Sequence, residues 1–178
     1  MKIKIKDISY DELIKLKRPA HRRPRKPNVA LQKVVNLLAT SELNKAHFKE
    51  ERIDMDRLPK NEPCLILMNH SSFIDLEIAS KVLYPRPYQI VCTTDGFIGK
   101  EMLMRHLGCI PTQKFVIDLN LLKDMAYALR KLKTSVLMYP EAGYSFDGTA
   151  TTLPESLGKC IKKLKVPVVM INTYGAFT

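Results

Sequence analysis

From residue 63 onward, short apolar runs alternate with longer stretches of helical periodicity, and nothing else in the sequence constrains the fold as tightly. The runs CLILMN (64–69) and SVLMYP (135–140) read as buried strands, YQIVCTT (88–94) and VPVVMIN (166–172) as further strands, and IPTQKFV (110–116) as a candidate short one. Between them lie helical patterns over 74–83, 97–108, 119–133 and 153–165. Apolar strands that alternate with helices predict an α/β fold, a mainly parallel central sheet flanked by helices. The chain ends at TYGAFT, directly after a strand, so the fold is expected to be truncated at its C-terminus.

Two segments precede this region. Residues 1–28 read as a basic N-terminal arm, with KRPAHRRPRKP (17–27) dense in Arg, Lys and Pro. Its prolines forbid a regular helix. MKIKIKDISY (1–10) alternates apolar and basic residues and suits a short edge strand. The arm is either a solvated linker or an electrostatic contact for anionic lipid or phosphate. Residues 29–178 form the main domain, beginning with an amphipathic helix over 29–51. Val29, Leu31, Val34, Val35, Leu37 and Leu38 are its apolar positions, with Gln32, Lys33 and Asn36 between them. Such a stripe packs on a domain or lies on a membrane surface.

The net charge of +11 favours an anionic partner. No apolar stretch reaches the roughly 20 residues needed to span a bilayer, and no signal-peptide pattern opens the chain. The expected location is cytoplasmic, peripheral at the inner face of the membrane. Cys64, Cys92, Cys109 and Cys160 lie far apart without a CxxC pair, so reduced cysteines and no metal site are expected. GxSxG, P-loop, GxGxxG and HExxH patterns are absent, which removes the commonest rival enzyme classes.

Two turns carry chemistry. In NHSSFID (69–75), His70 emerges at the carboxyl end of a buried strand and Asp75 follows five residues later. On one continuous helix these side chains would point about 140° apart. They meet only if His70 sits on the turn and Asp75 in the first helical turn. Ser71 or Ser72 is a natural N-cap there, and Ser72 with Asp75 reads as a capping box. A carboxylate beside an imidazole fixes its tautomer, and the other ring nitrogen can then take a proton from a hydroxyl. In YPEAGYS (139–145), Glu141 leaves a second buried strand at the same sheet edge. Pro140 and Gly143 make that segment a turn.

Together these stretches resemble the glycerolipid acyltransferase family, which includes the 1-acylglycerol-3-phosphate acyltransferases. NHSSFID is similar to its first block, with His70 and Asp75 in the His-x4-Asp positions. GCIPTQK (108–114), YPEAGYS and VPVVMIN resemble the second, third and fourth blocks, in the family's order. Lys114 stands where the second block usually has Arg, Ala142 and Tyr144 replace the usual Gly and Arg of the third, and Met170 replaces a common Pro. The resemblance implies transfer of a fatty acyl group from acyl-CoA or acyl carrier protein to a hydroxyl of a lysophospholipid-like acceptor, with no cofactor. It implies that His70 is the general base and Asp75 its orienting acid. Ser71, Ser72, Lys114, Glu141, Gly143 and Ser145 would shape the substrate site. Backbone N–H groups near Ser71 or near Gly143 are the candidate oxyanion donors. An anionic membrane surface is the expected partner and nucleic acid is not. Two rival readings are an inactive lipid-binding homologue and a basic nucleic-acid-binding module, for which no recognised motif accompanies the charge.

Overall fold

Strand β1 (Leu65–Met68) is buried along its whole length, as a strand with apolar residues on both faces must be at the centre of a sheet. The computed structural model describes residues 21–54, 62–97, 99–112, 119–141, 143–145, 149 and 152–176. Around β1 stand β2 (Tyr88–Thr93), β3 (Cys109–Thr112), β4 (Ser135–Met138) and β5 (Val168–Ile171). They form a five-stranded sheet in the order β3-β2-β4-β1-β5. Every pairing is parallel, as the alternation predicts.

Helices cover both faces. On one face lie α1 (Val29–Lys45), α2 (Ile74–Leu83) and α3 (Glu101–Leu107). Leu43, Ile78, Ala79 and Leu83 pack there against Ile66, Met68, Ile90 and Leu137. On the other face, α4 (Leu119–Arg130) and α5 (Ser156–Leu164) bring Met125, Ala128, Leu129, Leu157 and Leu164 onto Leu65, Leu67, Ile110 and Val136. β1 therefore leads into a helix on one face, and its neighbour β4 leads into a helix on the other. Loops that leave adjacent parallel strands in opposite directions open a crevice at their carboxyl ends. NHSSFID and YPEAGYS are those two loops.

Several boundaries differ from the sequence expectation. α1 ends at Lys45, not at 51, because His47 adopts a left-handed φ of 54° and the Phe48 and His47 N–H groups fold back to Leu43 and Asn44 carbonyls. This is a Schellman ending. The second predicted helix begins at Glu101 after a 3-10 turn over Thr94–Phe97, and β3 starts at Cys109 where 110 was expected; residues 113–116 of that expected strand lie outside the described residues. The basic residues 21–28 are docked: Pro24 and Pro27 are buried, Arg25 O accepts from Gln89, and Arg23 O accepts from Arg105. His21 pairs with the buried Asp124 of α4 at 3.0 Å. The strand expected over 1–10 lies outside the described residues.

α1 packs through a mixed line of polar and apolar residues. Gln32 donates to Tyr88 O and Leu107 O, Asn36 donates to Ser80 O, and Ala39 and Leu43 are buried on the same line. Val29, Val34, Leu37 and Leu38 face outward instead, Leu37 at 70% exposure. Among the described residues no helix is long and apolar enough to cross a membrane.

Two predictions arise here. Gly108 caps α3 with φ 93°, and a Cβ there would sit 3.0 Å from Pro27 Cβ and 3.1 Å from Tyr88 O. Gly108→Ala is expected to cost roughly 2 kcal/mol, read as a lower denaturant midpoint. The second concerns Glu77 of α2, which faces Glu42 of α1. Burial first, then the bond and charge of Glu42, raise the Glu77 carboxyl above its ordinary value. The folded chain thus favours the neutral acid. Stability should fall as pH rises from the usual carboxylate range through that raised value. Glu77→Gln should raise the melting temperature at pH 7 and leave it unchanged near pH 3.

Candidate active site

His70 stands two residues beyond the end of β1, and Asp75 is the second residue of α2. The turn between them brings His70 Nδ1 to 2.9 Å from Asp75 Oδ2. The same oxygen accepts the Ser71 N–H at 2.6 Å and the Ser72 N–H at 2.9 Å. Asp75 is fully buried, and the His70 side chain is 16% exposed. A carboxylate in this position accepts the hydrogen bond of Nδ1–H and leaves the Nε2 edge for a substrate.

Only half of the predicted capping box forms. Asp75 reaches back to the upstream N–H groups, while Ser72 Oγ donates to Ala176 O in the segment after β5. Phe73, not a serine, precedes α2, and it makes no side-chain cap. The Ser71 N–H is committed to Asp75, so it is not free to act as an oxyanion donor, while Gly143 is exposed.

The β4 loop covers the imidazole. Tyr139 stacks on it with ring centroids 3.9 Å apart and planes 15° apart. Tyr144 packs at 4.3 Å and 46°, and its other side meets Phe73 at 5.5 Å. The Ser145 N–H donates to His70 O at 2.8 Å, and Ser145 Oγ donates to Thr149 O. Ser145 is thus a brace between the two loops. Glu141 is half-buried beside it and Gly143 is exposed. On the other flank, Asn69 exchanges hydrogen bonds with the Thr173 N–H and carbonyl, which ties the β1 loop to the β5 end. Lys114 lies outside the described residues.

Burial first, then the charge of Asp75, holds the Tyr139 hydroxyl well above the usual tyrosine range, so it stays protonated. Sequence reasoning missed Tyr139 as a site residue. Its one available signal was position, because it ends the strand whose loop carries Glu141. Asn69 and Thr173 carried no signal at all, since their contact spans 104 residues.

Comparison with known proteins bears on the family and the fold. A family profile described as Acyltransferase matches residues 51–173. Human 1-acyl-sn-glycerol-3-phosphate acyltransferase beta is 26% identical over 128 residues, which cover 70% of this chain and 46% of that protein. The chain therefore spans about half the length of that curated relative. The crystal structure of the 1-acyl-sn-glycerophosphate (LPA) acyltransferase PlsC from Thermotoga maritima superposes with a TM-score of 0.63 at 15% identity. The match covers 82% of this chain and 58% of that one, and it establishes the fold alone.

Proposed function

The chain belongs to the glycerolipid acyltransferase superfamily, and we propose from that premise that it moves a fatty acyl group from an acyl thioester to the hydroxyl of a lysophospholipid-like acceptor. The buried His70–Asp75 pair at the sheet's switch point carries this reading. Nδ1 is held by Asp75, so Nε2 takes the acceptor's proton. The oxygen so freed attacks the thioester carbonyl and forms a tetrahedral intermediate. Its collapse forms the ester and breaks the C–S bond. The imidazolium, stabilised by Asp75, returns the proton to the departing thiolate. No covalent acyl-enzyme is needed. Glu141, Gly143 and Ser145 shape the acceptor side, with Lys114 a further cation for it. Ser71 and Ser72 act through Asp75 rather than on substrate.

Acyl-CoA or acyl carrier protein is the proposed donor, and no cofactor is required. The net charge of +11 suits either donor and an anionic membrane surface. The outward Val29, Val34, Leu37 and Leu38 of α1 support peripheral contact with that surface. Four large apolar side chains exposed on one helix are poorly served by water alone.

The test is to mix purified protein with palmitoyl-CoA and a panel of lysolipids and follow free CoA. Acceptor-dependent release is expected. No release with palmitoyl-CoA or with palmitoyl-acyl carrier protein would overturn the reading. Tyr144 bears on the acceptor, because an aromatic ring stands where related sequences place a phosphate-binding arginine. Tyr144→Arg is expected to lower the KM for lysophosphatidate roughly threefold to tenfold, with little change for acceptors that carry no phosphomonoester. An unchanged KM would show that Tyr144 does not set the acceptor.

A further inference from the structure

We propose that Tyr139 is a positioning residue for the His70–Asp75 pair, fixing the imidazole with its ring and answering the second Asp75 oxygen with its hydroxyl. This rests on the pair's role as general base, proposed above.

The ring comes first. An imidazole held at one nitrogen can still swing about that hydrogen bond. The hydrogen bond at Nδ1 fixes one point of the ring. A nearly coplanar ring at 3.9 Å fixes its plane. Tyr144, tilted by 46°, does not do this. The sheet supplies the placement: Ile66 pairs with Leu137, which puts Tyr139 in step with Met68, two residues short of His70. Tyr139 therefore follows directly on the end of β4, whereas Tyr144 stands six residues beyond that end.

The hydroxyl is the second part. Asp75 Oδ2 accepts three hydrogen bonds. Asp75 Oδ1 is buried and has no partner among the described residues, and the same holds for the Tyr139 hydroxyl. One is an acceptor, the other a donor that stays protonated, and the charge of Asp75 is felt at that hydroxyl. Buried polar groups pair where they can reach. A pairing of the two, direct or through one water, would satisfy both.

The pairing tunes the base. A donor on Oδ1 draws charge out of the carboxylate and so weakens its pull on the imidazolium. The ionisable groups on the elements around the pair are Tyr139, Glu141 and Tyr144 after β4, Asp75, Glu77 and Lys81 on α2, and Tyr88 and Cys92 on β2. Burial holds Tyr88 up to about 12, so it adds no charge near neutrality.

The experiment titrates the His70 imidazole by nitrogen-15 NMR in the full chain, with its signal assigned by its loss in His70→Ala. The sequence holds four histidines, so the spectrum is simple. Tyr139→Phe keeps the ring and removes the hydroxyl. Its His70 midpoint should move up by about half a unit to one unit, and the acidic limb of kcat/KM should move with it. An unchanged midpoint overturns the hydroxyl's part. Tyr139→Leu removes the ring. Its kcat should fall roughly tenfold with KM nearly unchanged, and Tyr139→Phe should retain most of the rate. A folded Tyr139→Leu protein with wild-type kcat overturns the ring's part. Should the wild-type chain transfer no acyl group, the NMR midpoint still decides the hydroxyl, and broadening of the His70 signal in Tyr139→Leu decides the ring.

Discussion

His70→Ala is expected to lower acyl transfer by roughly 10²–10⁴-fold while the protein stays folded. Among the described residues at the crevice, the imidazole is the proposed base and is aimed by a buried carboxylate. Without it the acceptor hydroxyl must attack unaided. The side chain lies at the carboxyl edge of the sheet and not under it, so its removal exposes Tyr139 without opening a core cavity. The loss should fall on kcat, with KM for the thioester nearly unchanged, because the ring's proposed work is proton transfer and not donor binding. Free CoA release and a thermal melt of the same sample measure both halves. A variant retaining more than a tenth of the activity would remove His70 from the mechanism.

Substitutions at Asp75 should separate chemistry from folding. Asp75→Asn keeps the shape, and its carbonyl can still accept the Ser71 and Ser72 N–H groups. It loses the charge that holds the Nδ1 proton and stabilises the imidazolium. Activity should fall by roughly 10²–10⁴-fold with a stability loss of about 1 kcal/mol. Asp75→Ala instead strands two backbone donors and the imidazole at a fully buried position. It should cost roughly 2–4 kcal/mol, seen as a lower denaturant midpoint in addition to lost activity. Equal stability in the two variants would mean that the carboxylate does not organise the turn.

The switch point also explains why two loops distant in sequence share one site. β1 and β4 are neighbours although β2 and β3 intervene in the chain. Their loops turn to opposite faces, and the space between is where His70, Tyr139 and Tyr144 meet. The Asn69–Thr173 bonds and the Ser145–His70 bond close the crevice from both flanks. The site is therefore built on strand ends and braced by backbone contacts.

The sequence by itself determined the elements and the pair. Apolar runs such as LILM and VVMI fix where strands lie, because they suit positions paired within a sheet. The His70–Asp75 contact spans five residues and one turn, so local geometry was enough to foresee it. Contacts between distant segments were decided only in the folded chain. Strand order set which loop stands beside His70, and it chose Tyr139, whose own neighbours in sequence say nothing of an imidazole. The packed side of α1 was decided in the same way. Its apolar residues outnumber its polar ones, yet Gln32 and Asn36 turn inward because carbonyls of Tyr88, Leu107 and Ser80 face them. Periodicity counts apolar residues, but a buried carbonyl without a donor costs more than an exposed leucine, and only the tertiary structure reveals where such carbonyls lie.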